Sequence, residues 1–227
     1  MDNFLSLLQF TDGLFPAGAY AHSFGLESYV QSGGVADAAG VERFLRAYLG
    51  GSSAPTDLVA MLCARKYAEA GDLGACICLD ETLDAMKTAS ELREASRQMG
   101  RQTLRVANHF ASHALLAEYG EAVAAELSPC HHAIVFGMIG GAMEWPAAKM
   151  ACAYLYSAGA AMVGAALRLL PLGQLAGQRI LWNLRPLIAQ LADEAQDKGR
   201  DDMWSFAPAL EIAAMRHAVL DARLFRS

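Results

Sequence analysis

The chain is short of charge, and the charge it has leans acidic: 19% of its 227 residues are Asp, Glu, Lys or Arg, and the formal net charge is -6. A basic footprint that neutralises phosphates is therefore missing, which excludes the ordinary route to nucleic-acid binding and leaves proteins or small ions as partners. Cysteines are few and scattered. Cys63, Cys76, Cys78, Cys130 and Cys152 form an odd set with no CxxC pair, against a disulfide framework or zinc knuckle and in favour of a reducing compartment. The opening residues carry no basic region followed by an apolar stretch and a small-residue cleavage site, so the expected location is the cytoplasm. No stretch alternates like a strand for long. Enzyme signatures are absent as well: there is no P-loop, no GxGxxG after a strand, no GxSxG elbow and no HExxH.

What the sequence does have is apolar periodicity. With 54% hydrophobic residues it can bury one substantial core. Phe4, Leu5, Leu7 and Leu8 begin a first helix that stops at Thr11-Asp12-Gly13, and Phe15-Pro16-Ala17-Gly18 reads as a turn. Helices are expected over Ala21 to Gln31, from the N-cap Asp37 to Gly50-Gly51, and again from Pro55. One long helix is expected from Thr88 to Tyr119, because Leu92, Ala95, Met99, Val106, Phe110 and Ala114 recur at three- and four-residue steps. Others are expected around His131 to Met143, Pro146 to Leu170, Gly173 to Gln196, where Pro186 should kink or interrupt the helix, and Pro208 to Leu220. The uncharged run between Lys149 and Arg168 has the length of a membrane span, but its Ala, Gly and Ser content fits a buried helix that lets neighbouring backbones approach, so no membrane is expected. The expected fold is all-α, a compact single-domain bundle of about eight to ten helices over residues 1–227, with a flexible C-terminal tail around 221–227.

Two local patterns bear on chemistry. Arg93, Arg97, Arg101, Arg105, His109 and His113 recur every four residues and wrap the long helix as a stripe. The arginines can offer forked donors to acidic partners, although Glu91 and Glu94 among them favour a solvated face. His109 and His113 at i, i+4, with Cys130-His131-His132 nearby in sequence, supply donors that nickel or zinc accepts, and they carry the alternative reading: a helical metal-binding protein or metalloenzyme.

Other segments bear a resemblance. Leu14-Phe15-Pro16-Ala17-Gly18-Ala19-Tyr20-Ala21-His22-Ser23-Phe24-Gly25-Leu26-Glu27 resembles the N-terminal signature of the UreF family of urease accessory proteins. Gly100-Arg101, His132 to Gly137, Arg168 to Gln174 with Gly177-Gln178, and Leu210-Glu211-Ile212, Met215-Arg216-His217 and Arg223-Leu224-Phe225-Arg226-Ser227 follow in family order. The departure is Ala17-Gly18-Ala19-Tyr20, where many relatives carry Ile or Leu after the proline. The resemblance implies a non-catalytic, dimeric assembly protein with no cofactor, which binds UreD (also called UreH) and recruits and regulates the GTPase UreG for nickel insertion into apo-urease. It implies partner-binding roles for Tyr20, His22, Ser23, Glu27, His217, Arg223, Leu224 and Phe225, with Arg223 supporting the UreG-competent arrangement. Adjacent His22 and Ser23 cannot face each other on a helix, so capping and core hydrogen bonds suit the His22, Ser23 and Glu27 set better than catalysis. Tyr20 is expected to pack near the tail, which can order on binding through an arginine and an apolar anchor.

Overall fold

A computed structural model describes residues 3–110, 113–220 and 222–227. Their α-helices are α1 (Asn3–Thr11), α2 (Leu26–Gln31), α3 (Ala38–Tyr48), α4 (Val59–Glu69), α5 (Leu73–Met86), α6 (Ser90–Phe110), α7 (Ala114–Ala124), α8 (His132–Ala142), α9 (Ala147–Leu169), α10 (Gln174–Glu194) and α11 (Pro208–His217). No strand occurs among the described residues, so the all-α, single-domain expectation holds.

At the centre lies α8. Every residue from Ala133 to Gly141 is buried, as a helix that is apolar all round requires. Its closest neighbour is α4, and Gly137 sets the approach: a Cβ there would run into the Met61 carbonyl oxygen. Around this pair, Phe136 packs against Trp145 and Tyr154, and His132 stacks on Tyr154. α9 is the one helix among the described residues long and apolar enough to cross a membrane, and half of its apolar window is buried inside the fold. α10 lies against α9 through Gly177, where a Cβ would stand 3.0 Å from Val163 and 3.3 Å from Leu167.

Asp37 caps α3 as expected, accepting from the Gly40 N–H at 2.7 Å. The expected stop at Gly50-Gly51 does not occur. The chain stays helical from α3 into α4 through a π-helical stretch, Leu49–Leu58, which contains Pro55. The Gly51 and Pro55 carbonyls accept from the Phe206 and Trp204 N–H groups at 2.9 and 3.2 Å, and the Thr56 hydroxyl donates to the Trp204 carbonyl at 2.6 Å. Outside donors thus satisfy the wide turn, and burial of Leu49, Ala54 and Leu58 holds it.

The expected helix from Thr88 to Tyr119 is two helices. α6 ends at Phe110, and His113 is extended (φ -121°, ψ 123°) ahead of α7. Residues 111 and 112 of that span lie outside the described residues. α10 continues through Pro186 without interruption.

Asp80, fully buried on α5, staples this half of the molecule. It accepts from the Tyr119 and Ser128 hydroxyls at 2.8 and 2.7 Å and from the Cys130 and His131 N–H groups at 2.6 and 3.0 Å. Those last bonds hold Cys130 at φ 70°, a conformation that a side chain disfavours.

Candidate functional site

The first and last segments of the chain fold onto each other. After Gly18, in the left-handed region, a short 3₁₀ turn (Ala19–Ala21) leads to extended His22, and the chain then reverses through Phe24 and Gly25 at φ 52° and 87° into α2. Gly25 also lies against α11, 3.4 Å from the Ala214 nitrogen measured from where a Cβ would stand, so a side chain there is both strained and crowded.

This reversal aims donors and acceptors at the tail. The Ser23 and Phe24 N–H groups donate to the main-chain oxygen of Ser227 at 2.5 and 3.1 Å, and the Ser23 hydroxyl donates to it at 2.9 Å. His22 Nδ1 lies 2.8 Å from Ser227 Oγ, and the Arg226 N–H donates to the Ala21 carbonyl at 2.9 Å. Glu27, buried in the first turn of α2, accepts from the Leu224 N–H at 2.7 Å and the Phe225 N–H at 3.1 Å. Its Oε2 also meets His217 Nε2 at 2.9 Å.

His217 Nδ1 faces Glu91 Oε2 at 2.8 Å, and Glu91 Oε1 accepts from Arg223 at 2.9 Å. Arg223, Glu91, His217 and Glu27 therefore form one chain of hydrogen bonds ending on the tail backbone. A protonated imidazole satisfies both carboxylates, whereas a neutral ring leaves one nitrogen facing an acceptor without a proton. The two carboxylates lie on opposite nitrogens of the ring, so the three side chains do not converge on one point as metal ligands must.

Electrostatics follows from this geometry. Burial acts to raise the Glu27 pKa, but the Leu224 N–H, His217 and the Phe225 N–H outweigh it and hold the carboxyl below its usual range. Burial, with Arg226 nearby, lowers His22 to about 4, so its ring is neutral at pH 7.

Of the residues the resemblance singled out, His22, Ser23, Glu27, His217 and Phe225 are buried in this intramolecular clasp, while Tyr20 and Leu224 are 72% and 60% exposed and the Arg223 side chain 41%. Tyr20 does pack near the tail: its ring lies 3.7 Å from the Arg168 guanidinium, which lies 4.2 Å from the Phe225 ring on its other contact. Sequence reasoning missed Glu91, which it placed on a solvated face, and gave Arg168 no role beyond its motif. Nothing local marks either one, because the partners that define their roles, His217 for Glu91 and Tyr20 for Arg168, lie 126 and 148 residues away.

The metal-site alternative loses its geometry. His109 is exposed near the end of α6, while His113 stands past the break and outside that helix, so the expected shared face does not form. Cys130 is buried, with its thiol pushed up to about 12 by burial and Asp80. His131 is held between Ser96 Oγ (3.0 Å) and Asp84 (2.9 Å), and His132 stacks on Tyr154. Among the described residues, no group of three or more His, Cys, Asp or Glu side chains is placed to hold a metal ion. The Ser96, His131 and Asp84 set has the spacing of a nucleophilic triad, yet the ring is fully buried and Arg97 holds Asp84 at 2.6 Å. It fastens α5, α6 and the start of α8 together. The arginine stripe is largely self-paired too: Arg97 binds Asp84 and Arg101 binds Glu94 at 2.6 Å, and Arg93 donates to the Lys87 carbonyl at 3.0 Å. An apolar groove of about 300 Å³ between α3 and the start of α11 has Arg43 as its one charged lining residue among the described residues.

Comparison with known proteins places the chain in a family. The UreF family model matches residues 35–185. The chain is 35% identical to the urease accessory protein UreF of Lachnoclostridium phytofermentans and 31% identical to that of a Bacillus species, each match covering 100% of both chains. It is 34% identical to the UreF of Paenarthrobacter aurescens over 98% of this chain and 97% of that one. A family-model match over most of the chain, together with full-length relatives above 30% identity, establishes that this protein belongs to the UreF family of urease accessory proteins.

Proposed function

We propose that the protein is a non-catalytic assembly factor, acting in the cytoplasm as a homodimer without a cofactor, that binds UreD (UreH) and recruits and regulates the GTPase UreG so that nickel is inserted into apo-urease. The observation that carries this reading is the clasp, which uses five buried side chains to hold the tail and leaves Tyr20, Arg223 and Leu224 facing outward. An exposed aromatic, an arginine and a leucine on a rigid support are the makings of a protein-binding hot spot. Preorganisation lowers the ordering cost of association. His22, Ser23, Glu27, His217 and Phe225 serve partner binding indirectly in this reading, by fixing the tail that presents the other three.

The test is assembly. The purified chain is mixed with its cognate UreD and UreG, nickel and GTP, and the products are sized by chromatography with light scattering. Wild type is expected to form a complex containing both partners, and Arg223→Ala is expected to lose UreG. A wild-type chain that binds neither partner sinks the proposal.

A further inference from the structure

We infer that Arg168 is the positioning residue that sets the conformation of both Tyr20 and the tail, so that partner capture depends on a residue outside the contact surface itself. Arg168 sits in the last turn of α9, far in sequence from both segments it joins. Its guanidinium contacts two aromatic rings, Tyr20 with the ring centroid at 3.7 Å and Phe225 at 4.2 Å. Two of its N–H groups are also committed: Nε donates to the Gly164 carbonyl at 3.2 Å and Nη2 to the Tyr20 carbonyl at 2.8 Å.

The four contacts define what the position demands. A planar guanidinium can offer a face to an aromatic ring while its edge donates to carbonyls, and a lysine ammonium, a compact point charge, cannot do both. Phe225 is buried and Tyr20 is not. An exposed tyrosine whose main chain and ring are both tied to one arginine is not free to swing, and its outward face is presented ready for a partner. The tail enters the same unit, because Phe225 lies against Arg168 while its N–H and that of Leu224 donate to Glu27 and that of Arg226 donates to Ala21. The loss of the one cation-to-ring contact that the tail itself makes, at buried Phe225, corresponds to roughly a tenfold shift in its docked-to-undocked equilibrium.

The partner half of this inference rests on the assembly-factor reading above; the clasp half does not. The experiment therefore has two arms, run on wild type, Arg168→Lys, Arg168→Ala and Tyr20→Phe, with thermal melts showing that each chain is folded. In the first arm, amide hydrogen exchange is followed at Leu224, Phe225 and Arg226. Both Arg168 variants are expected to exchange there about tenfold faster than wild type, and Tyr20→Phe, which keeps the ring, is expected to match wild type. Slow exchange retained in Arg168→Lys overturns the role of the planar group, and slow exchange retained in both variants overturns the dependence of the tail on Arg168. In the second arm, binding to the preformed pair of UreD and UreG is measured by titration. Weakening of about tenfold in both Arg168 variants supports the inference. Faster exchange with unchanged affinity overturns positioning. Failure of wild type to bind at all overturns the assembly-factor reading and the partner half with it, while the exchange arm still decides the clasp.

Discussion

At the scale of single residues, two buried carboxylates do similar chemistry at different cost. Asp80 and Glu27 each receive several hydrogen bonds with little or no exposure. Changing either to the amide turns an acceptor into a donor that faces other donors, at about 1–3 kcal/mol for each buried group left unsatisfied. Asp80→Asn is expected to lower global unfolding stability by about 3 kcal/mol, since its donors sit on α7 and on buried residues of the segment 128–131, which cannot separate from α5 without unfolding. Glu27→Gln is expected to cost the fold about 1 kcal/mol or less, because the tail can undock while the helices stay packed. Urea unfolding of both variants checks the contrast, and equal losses would show that the tail unfolds together with the core. Sequence alone named Glu27 through its motif. It gave no sign of Asp80, because one aspartate in an amphipathic helix reads as surface until its burial is known.

At the scale of elements, periodicity identified most helices and misjudged their ends. Gly50-Gly51 carries the signal of a helix stop, but tertiary contacts override it. The π-helical stretch survives because the segment at Trp204 and Phe206, some 150 residues away, supplies the missing donors. The break between α6 and α7 was invisible for a related reason: apolar residues at three- and four-residue steps continue into Ala114 and Leu115 whether or not the backbone turns. Packing between helices was legible only in outline, as small residues without known partners. Gly137 and Gly164 separate the two possibilities. Gly137→Ala is expected to destabilise by about 1–3 kcal/mol, because its methyl meets the Met61 carbonyl of α4 with no room to yield. Gly164→Ala, where a Cβ meets nothing within 4 Å, is expected to stabilise by about 0.5–1 kcal/mol through helix propensity alone. Thermal melts that rank the two variants the other way would refute the close packing of α4 on α8.

At the scale of the whole molecule, the clasp closes the chain on itself. The hydrogen bonds between its first segment and the tail join residues 197 to 205 positions apart, and closing so long a loop adds little beyond closing one half its length. Acid should open it in two steps. Burial lowers His22 to about 4 from its ordinary 6.5, so between those values the unfolded chain binds the proton and the folded chain resists it. Stability therefore falls as pH drops from 6.5 towards 4, by about 3 kcal/mol at most from this residue. His132, also lowered to about 4 by burial, adds in the same direction. Glu27 acts lower. Its folded pKa lies below 4.5, so its stabilisation is fully present above 4.5 and is lost as pH falls through the folded value, when a protonated carboxyl no longer accepts from the Leu224 and Phe225 N–H groups as a carboxylate does. Melting temperature plotted against pH should therefore decline first between 6.5 and 4, and His22→Asn should make that limb shallower, leaving the share of His132 and the steeper loss below 4.5. A wild-type profile no steeper above pH 4.5 than that of His22→Asn would mean that the protonated ring finds water at the tail, and that the clasp around His22 and Ser227 is open in solution.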